Sequence, residues 1–443
     1  MNNTDSINKL KPLSFSRDSS QEISVAGFKL KNLVEIYGSP LYVLCEETIR
    51  RRAREYKAAF KEFYGDEHEV VYASKALNCR AICALMQQED IGLDVVSIGE
   101  LHTALSVKFP AKKIIFHGNN KSPEEIKTCI DKGVRIILDN FYDLELINKL
   151  NKDNKNIEVI IRVTPGIECH THEYIKTGKI DSKFGFNLED VIPLVKDITE
   201  NHPKIKVLGL HAHIGSQIFE MEPQKDAALV LLNKYKEIKE KFDLDLTHLN
   251  VGGGLGIKYL ESDDPPEIAD LVKNSATAVK EACEQMGLIK PILMMEPGRS
   301  MIAPAGITAY KVGNIKDIPG VRKYICVDGG MADNVRPIMY QAQCHAELDA
   351  KDPIADRERV TIAGKFCESG DVLISDIDMT KAEAGDILVI FSTGAYNYSM
   401  ASNYNRFTKP AMVLVNKNGH NLIIKRESLD DLIQHDIVPE HLA

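Results

Sequence analysis

The stretch KIIFHGNNKSPEEIKTCIDKGVRIILDN, residues 113–140, reads as one complete strand–helix–strand unit. KIIFHG (113–118) and VRIILDN (134–140) are short β-branched apolar runs, as expected of strands buried on both faces. Between them SPEEIKTCIDKG (122–133) opens with Ser-Pro-Glu-Glu, a helix start signal with a capping hydroxyl and a first-turn proline.

The same unit recurs on either side. VVYASKAL (70–77) and IGLDVVS (91–97) precede it; IEVIIRVTPG (157–166), VLGLHAHIGS (207–216), LTHLNVGGG (246–254) and ILMMEPGR (292–299) follow. Helical periodicity fills the gaps in GELHTALSVKF, NLEDVIPLVKDI and AALVLLNKYKEIKEKF. Eight apolar runs alternating with helices predict a closed parallel (β/α)8 barrel. An open doubly wound sheet is the alternative, but usually has fewer strands.

Polar residues follow these runs on one side only: Lys75, Asp94 with Ser97, His117, Asp139, Arg162, His213, Gly252 to Gly254, and Glu296. In a parallel barrel the C-terminal strand ends share one face, so these groups are expected to converge on one cavity.

Beyond about residue 305 helical periodicity fades into KYICVDGG, RVTIAG, DILVIFS, AMVLVNK and NLIIKRE, which predict a mainly β C-terminal domain. The segment from about 21 to 45, containing ISVAGFKLKNLVEIYGSPLYVL, also reads as β and is expected to pack with that domain. The expected organisation is therefore 1–45, 46–305 and 306–443. A length of 443 residues already favours two domains, since one core stops growing near roughly 250–300 residues.

The net charge of −9, with both signs interspersed, offers no basic surface for nucleic acid. No apolar run approaches the ~20 residues of a membrane span, and the first twenty residues lack the apolar core of a secretion signal. Nine scattered cysteines suit a reducing compartment. A cytoplasmic protein acting on small molecules is expected. Cys79 and Cys83, four apart, read as a buried helix face rather than a metal site.

Lys75 is expected to point into a partly enclosed mouth, where burial lowers an amine's pKa and a neutral amine forms a Schiff base with an aldehyde. Gly252, Gly253 and Gly254 either cradle an anion, in the position customary for phosphate in barrels, or make a tight turn. Glu296 in MEPGR either caps a helix or pairs with a protonated ring nitrogen, keeping a heteroaromatic ring cationic and electron-accepting. His211 and His213 alternate along one strand. Zinc there lacks an evident third ligand, although a barrel could bring in His117, so an imidazole stacked on an aromatic cofactor, with Ser216 at its phosphate, is preferred. No metal is expected. Cys367, in CESGD, is inert, oxidation-sensitive or a proton donor to a carbanion.

YASKA, HIGSQ, NVGGGLG, EPGR, VDGGM followed by RPIMY, CESGD and GAY together resemble the diaminopimelate decarboxylases, within the alanine-racemase-like and ornithine-decarboxylase-like pyridoxal-phosphate enzymes. The resemblance runs from about residue 30 to the C-terminus. It implies pyridoxal 5'-phosphate carried by Lys75, with His213 stacked on the ring and Glu296 at its nitrogen. Ser216, Gly252, Gly253, Gly254 and the loop Pro297, Gly298 and Arg299 would hold the phosphate, and Tyr396 would touch cofactor and substrate. Arg299, Arg336, Tyr340, Glu368 and Tyr396 would bind substrate, and Cys367 would be the proton donor. An arginine grips a distal carboxylate and a glutamate an ammonium, which favours diaminopimelate over ornithine. The resemblance also implies attack at the D-configured centre of the meso compound, and a homodimer in which Cys367 and Glu368 act across the interface. The chain departs from the family in the residues around VDGGM and before Cys367, which removes no functional side chain but loosens substrate detail.

Three rivals remain at this stage. One is a decarboxylase of ornithine, arginine, a carboxylated polyamine precursor or a carrier-bound substrate. A racemase is disfavoured by Glu296 and Cys367, since an arginine at the ring nitrogen suits racemisation better. The last is a barrel that binds the cofactor without turnover.

Overall fold

The computed structural model describes residues 10–167 and 182–442. Cys169, one of the nine cysteines, lies outside them, as do residues 1–9 of the polar N-terminus.

All eight expected runs form parallel strands: His68–Ala73, Gly92–Val95, Ile114–Phe116, Arg135–Leu138, Ile157–Thr164, Ile205–His211, His248–Asn250 and Ile292–Met295. Each pairs with the next, and the eighth pairs with the first through Met295 and Val70, which closes the barrel. Val71, Ile115, Ile137, Ile160, Leu208 and Met294, one from each of six strands, form a single buried cluster. Such a layer of mostly branched side chains is what fills a barrel interior.

The helix Pro123–Lys132 shows how locally the fold is specified. Ser122 Oγ accepts from the Glu125 N–H at 3.2 Å, Glu125 reaches back to the Ser122 N–H at 2.8 Å, and Gly133 ends the helix in the left-handed region. Cys83 is buried in the helix Arg80–Gln88, and Cys79 stands at its N-cap. The eight described cysteines are all free thiols.

Among the described residues two compact units form. The barrel unit comprises Arg50–Ile257 and Asp264–Met301. The other takes in the chain up to Ile49, Lys258–Asp263 and the chain from Ile302 onward.

That second unit is mainly β. Its strand order is Val372–Thr380, Arg357–Ala363, Arg322–Val327, Gly306–Ile318, Leu41–Cys45, Ala411–Asn416 and Gly419–Ile424. Leu41–Cys45, buried throughout, pairs antiparallel with Gly306–Ala309 and parallel with Ala411–Val415, so the N-terminal segment does enter the C-terminal sheet. Gly306–Ile318 spans two apolar clusters, one around Val43 and Val413 and one around Ile325 and Leu388.

One expectation fails within 21–45. LKNLVEIY forms a helix, Leu30–Tyr37, because Leu30, Leu33 and Val34 recur at helical spacing and are the residues it buries. No helix among the described residues is long and apolar enough to cross a membrane.

Candidate active site

The strand ends of the barrel unit converge as the spacing implied. Glu296 follows the eighth strand and is 6% exposed. Its Oε1 accepts from His117 Nε2 at 2.9 Å and from Asn250 Nδ2 at 2.7 Å, and its Oε2 accepts from His211 Nε2 at 3.1 Å. Burial pushes the Glu296 carboxyl up, but His117 and His211 outweigh it and hold the group well below the usual carboxylate range. Burial pushes His211 down to about 4, so the ring is neutral.

Around this centre lie further charged groups. Asp94 Oδ1 is 3.8 Å from His117 Nε2, and burial raises its carboxyl. Arg162 stacks on Phe184 at 4.3 Å and lies 3.8 Å from Asp139, whose Oδ2 accepts from the Gly185 N–H at 3.0 Å. Burial, then the charges of Lys75 and Arg162, drive His213 well below its ordinary value.

Lys75 lies close enough to Asp94, Glu100 and His213 for its charge to bear on all three. A backbone bond ties the ends of the first and eighth strands together: the Ala73 N–H donates to Pro297 O at 3.1 Å. Gly298 packs there as well, since a Cβ on it would lie 3.0 Å from that of Ala73. The expected enclosure of Lys75 is corrected. Its side chain is exposed, because the strand stops at Ala73 and Lys75 rides on the following 3-10 turn Ser74–Ala76.

The glycine loop approaches from the seventh strand. Gly252 has φ +67°, and a Cβ on Gly253 would sit 2.2 Å from Glu296 O. Close packing of backbone therefore demands these glycines, whether or not an anion binds. The Gly253 N–H donates to His213 Nδ1 at 3.3 Å, while Arg299 Nε and Nη2 donate to Ser216 Oγ at 3.2 and 2.9 Å. The Ser216 hydroxyl and the Arg299 guanidinium gathered beside the glycine loop make a donor set chemically suited to a phosphate.

His211 and His213 have separate duties: the first bonds Glu296, the second meets the glycine loop. Of the three imidazoles weighed for zinc, His117 and His211 do converge, but the third potential ligand beside them is Glu296 rather than His213. One ligand atom each from His117, His211 and Glu296 lies within 4.8 Å of the others. The hydrogen bonds above account for all three. Asn250 was missed by sequence reasoning. The signal was an uncharged polar residue ending the apolar run LTHLN, and its Oδ1 also accepts the Gly252 N–H at 2.9 Å.

The remaining expected residues belong to the β unit. Arg336 is buried with its guanidinium 4.1 Å over the ring of Tyr259, and Tyr340 ends the short helix Arg336–Tyr340. Tyr396 is half-buried at φ +62°, a left-handed conformation that a tyrosine adopts only where its surroundings impose it. Cys367 and Glu368 are exposed on the turn following Arg357–Ala363.

Residues 46–303 match the family model described as pyridoxal-dependent decarboxylase, pyridoxal binding domain. The chain is 47% identical to a diaminopimelate decarboxylase of Synechocystis sp., over 98% of this chain and 94% of that one. With the Bacillus subtilis diaminopimelate decarboxylase the identity is 44%, over 94% and 95%. A crystal structure of the M. jannaschii diaminopimelate decarboxylase in complex with L-lysine superposes with a TM-score of 0.91 at 38% identity, covering 97% of this chain and 99% of that one. With its barrel, its buried strand-end carboxylate and these likenesses, the chain belongs to the pyridoxal-dependent decarboxylases and, among them, to the diaminopimelate decarboxylase family.

Proposed function

We propose that this protein removes carbon dioxide from meso-diaminopimelate to give L-lysine, the last step of lysine biosynthesis, using pyridoxal 5'-phosphate. The observation that carries the reading is Glu296, an anion buried at the barrel mouth and held by three donors. The cofactor, when bound, supplies an electron-accepting ring for the pair left behind as the carboxylate departs.

Each residue has a definable task. Lys75 would offer the amine that holds the cofactor. His213 would back the ring of the cofactor, and Glu296 would keep its nitrogen protonated. Ser216, Gly252, Gly253, Gly254, Pro297, Gly298 and Arg299 bind the phosphate. Arg299, Arg336, Tyr340, Glu368 and Tyr396 select the substrate. The Arg336 guanidinium, 4.1 Å over the ring of Tyr259, carries the fork of donors that suits a bidentate grip on a distal carboxylate. Cys367 delivers a proton to Cα.

Cys367 and Glu368 are exposed, so their work is assigned to the site of a second subunit in a homodimer. Exposed Leu429, Ile433, Ile437 and Leu442 in the C-terminal tail give that unit apolar surface to bury. The unpaired thiols favour a cytoplasmic setting.

Carbon dioxide release from carboxyl-labelled meso-diaminopimelate, ornithine and arginine tests the substrate. The expected result is a kcat/KM for meso-diaminopimelate at least ~10²-fold above the others, as for a site built to pair a polar group the rivals lack. Faster turnover of ornithine, or label retained throughout, overturns it.

A further inference from the structure

Glu296 is more elaborately supported than a simple ion pair with a ring nitrogen requires. Its three donors come from three other barrel segments: His117 after the third strand, His211 at the end of the sixth and Asn250 at the end of the seventh. All four side chains are buried. A carboxylate offers about four lone-pair directions, and three are taken here, two on Oε1 and one on Oε2. The fourth lies on Oε2.

The tautomer of His211 follows from its surroundings. Its Nδ1 is buried with no hydrogen-bond partner among the described residues. A hydrogen placed there would be an unsatisfied buried donor, and would turn the bare Nε2 lone pair toward a carboxylate 3.1 Å away. The hydrogen is therefore on Nε2, donated to Oε2. His117 stands between two acids, 2.9 Å from Glu296 Oε1 and 3.8 Å from Asp94 Oδ1. Asn250 is fixed in turn by the Gly252 N–H.

We propose that His117, His211 and Asn250 are positioning residues, a cradle that keeps Glu296 ionised and turns its one remaining acceptor direction, on Oε2, toward a cationic heteroaromatic N–H. This rests on the reading of Glu296 as partner of the cofactor's ring nitrogen. The cradle explains why a carboxylate can stay charged in so dry a place: removing a donor leaves the buried anion undercompensated, so it takes up a proton and the ring nitrogen loses its own. The other charged or titratable groups facing the cluster are Asp94, Arg162 with Asp139, His213, Lys75 and Glu100. None of them hydrogen-bonds Glu296 among the described residues.

The test reads the ring nitrogen directly. Wild-type, His117→Leu, His117→Gln, Asn250→Ser and Glu296→Gln proteins are reconstituted with cofactor labelled with 15N in the ring, and the 15N chemical shift is followed across neutral pH. The wild type is expected to show a protonated ring, and His117→Leu a shift toward the neutral ring with kcat down about tenfold, the effect of one charge-assisted hydrogen bond, and KM little changed. His117→Gln, which restores a donor, should recover most of both. If His117→Leu does not fold, Asn250→Ser should move the shift the same way by less. An unmoved shift in the folded His117 and Asn250 variants overturns the cradle, even if kcat falls, provided Glu296→Gln does move it. An unmoved shift in Glu296→Gln overturns the reading of Glu296 itself.

Discussion

Glu296 and Glu368 are assigned to the two ends of one reaction, and the chain treats them in opposite ways. Around Glu296 the side chain is fixed: it is buried and bonded by donors from three other barrel segments. In the turn 366–371 the backbone is fixed instead. Asp371 accepts the Met331 and Phe366 N–H groups at 2.7 and 2.8 Å, and Asn405 Oδ1 accepts the Cys367 N–H at 2.8 Å, while the Cys367 and Glu368 side chains are exposed. One region is organised by burial, with donors fixing the carboxylate. The other is a rigid mount that presents its groups outward.

The largest expected effect falls where the barrel region loses its anchor. Lys75→Ala should cut kcat/KM by at least ~10³-fold and let the cofactor dialyse away, as for loss of a covalent attachment. Retained cofactor with turnover within about tenfold of wild type would break the assignment. Cys367→Ala should lower kcat by roughly 10²–10⁴-fold, the usual worth of a positioned acid, with the cofactor's absorption unchanged. A changed absorption would move Cys367 to the cofactor end of the comparison.

Asp371→Ala tests the mount rather than the groups on it. Two N–H groups lose their acceptor, so unfolding stability should fall by about 1–3 kcal/mol, and kcat by less than for Cys367→Ala, with cofactor affinity unchanged. An Asp371→Ala variant with unchanged stability and unchanged kcat would mean the turn is held by something else.

The smallest effect concerns Glu347, which anchors the N-terminal chain to the β unit through Lys11 and Arg17 at 2.6 Å and also meets His345 at 3.1 Å. Burial pushes its carboxyl up, but these partners hold it well below the carboxylate range. A depressed folded-state pKa adds stability that is present above the unfolded value and lost as pH falls through the folded one. Glu347→Gln should therefore cost about 1–3 kcal/mol in urea unfolding at neutral pH, less as acid is added. A cost independent of pH would contradict the charge-based anchor.

What the sequence made legible followed from period and position. The eight strands were readable because each is a short apolar run ended by a polar residue, and Lys75, His213 and Glu296 were found at those ends. The helix Leu30–Tyr37 was not, since its three buried residues are too few to dominate a segment rich in β-formers. That His117 and Glu296 share one face of the barrel was legible from the strand ends, but their hydrogen bond, and those of His211 and Asn250, were not: the partners lie up to 179 residues from Glu296, and pairing across a closed barrel is not set by spacing. The exposure of Lys75 depends on whether the strand stops at Ala73 or continues, which composition does not encode.

Reduction of the holoenzyme with borohydride, followed by mass mapping of its peptides, tests the central claim most directly. The account predicts the cofactor mass on the peptide that contains Lys75. The same mass on any other lysine, with the Lys75 peptide unmodified, would contradict it.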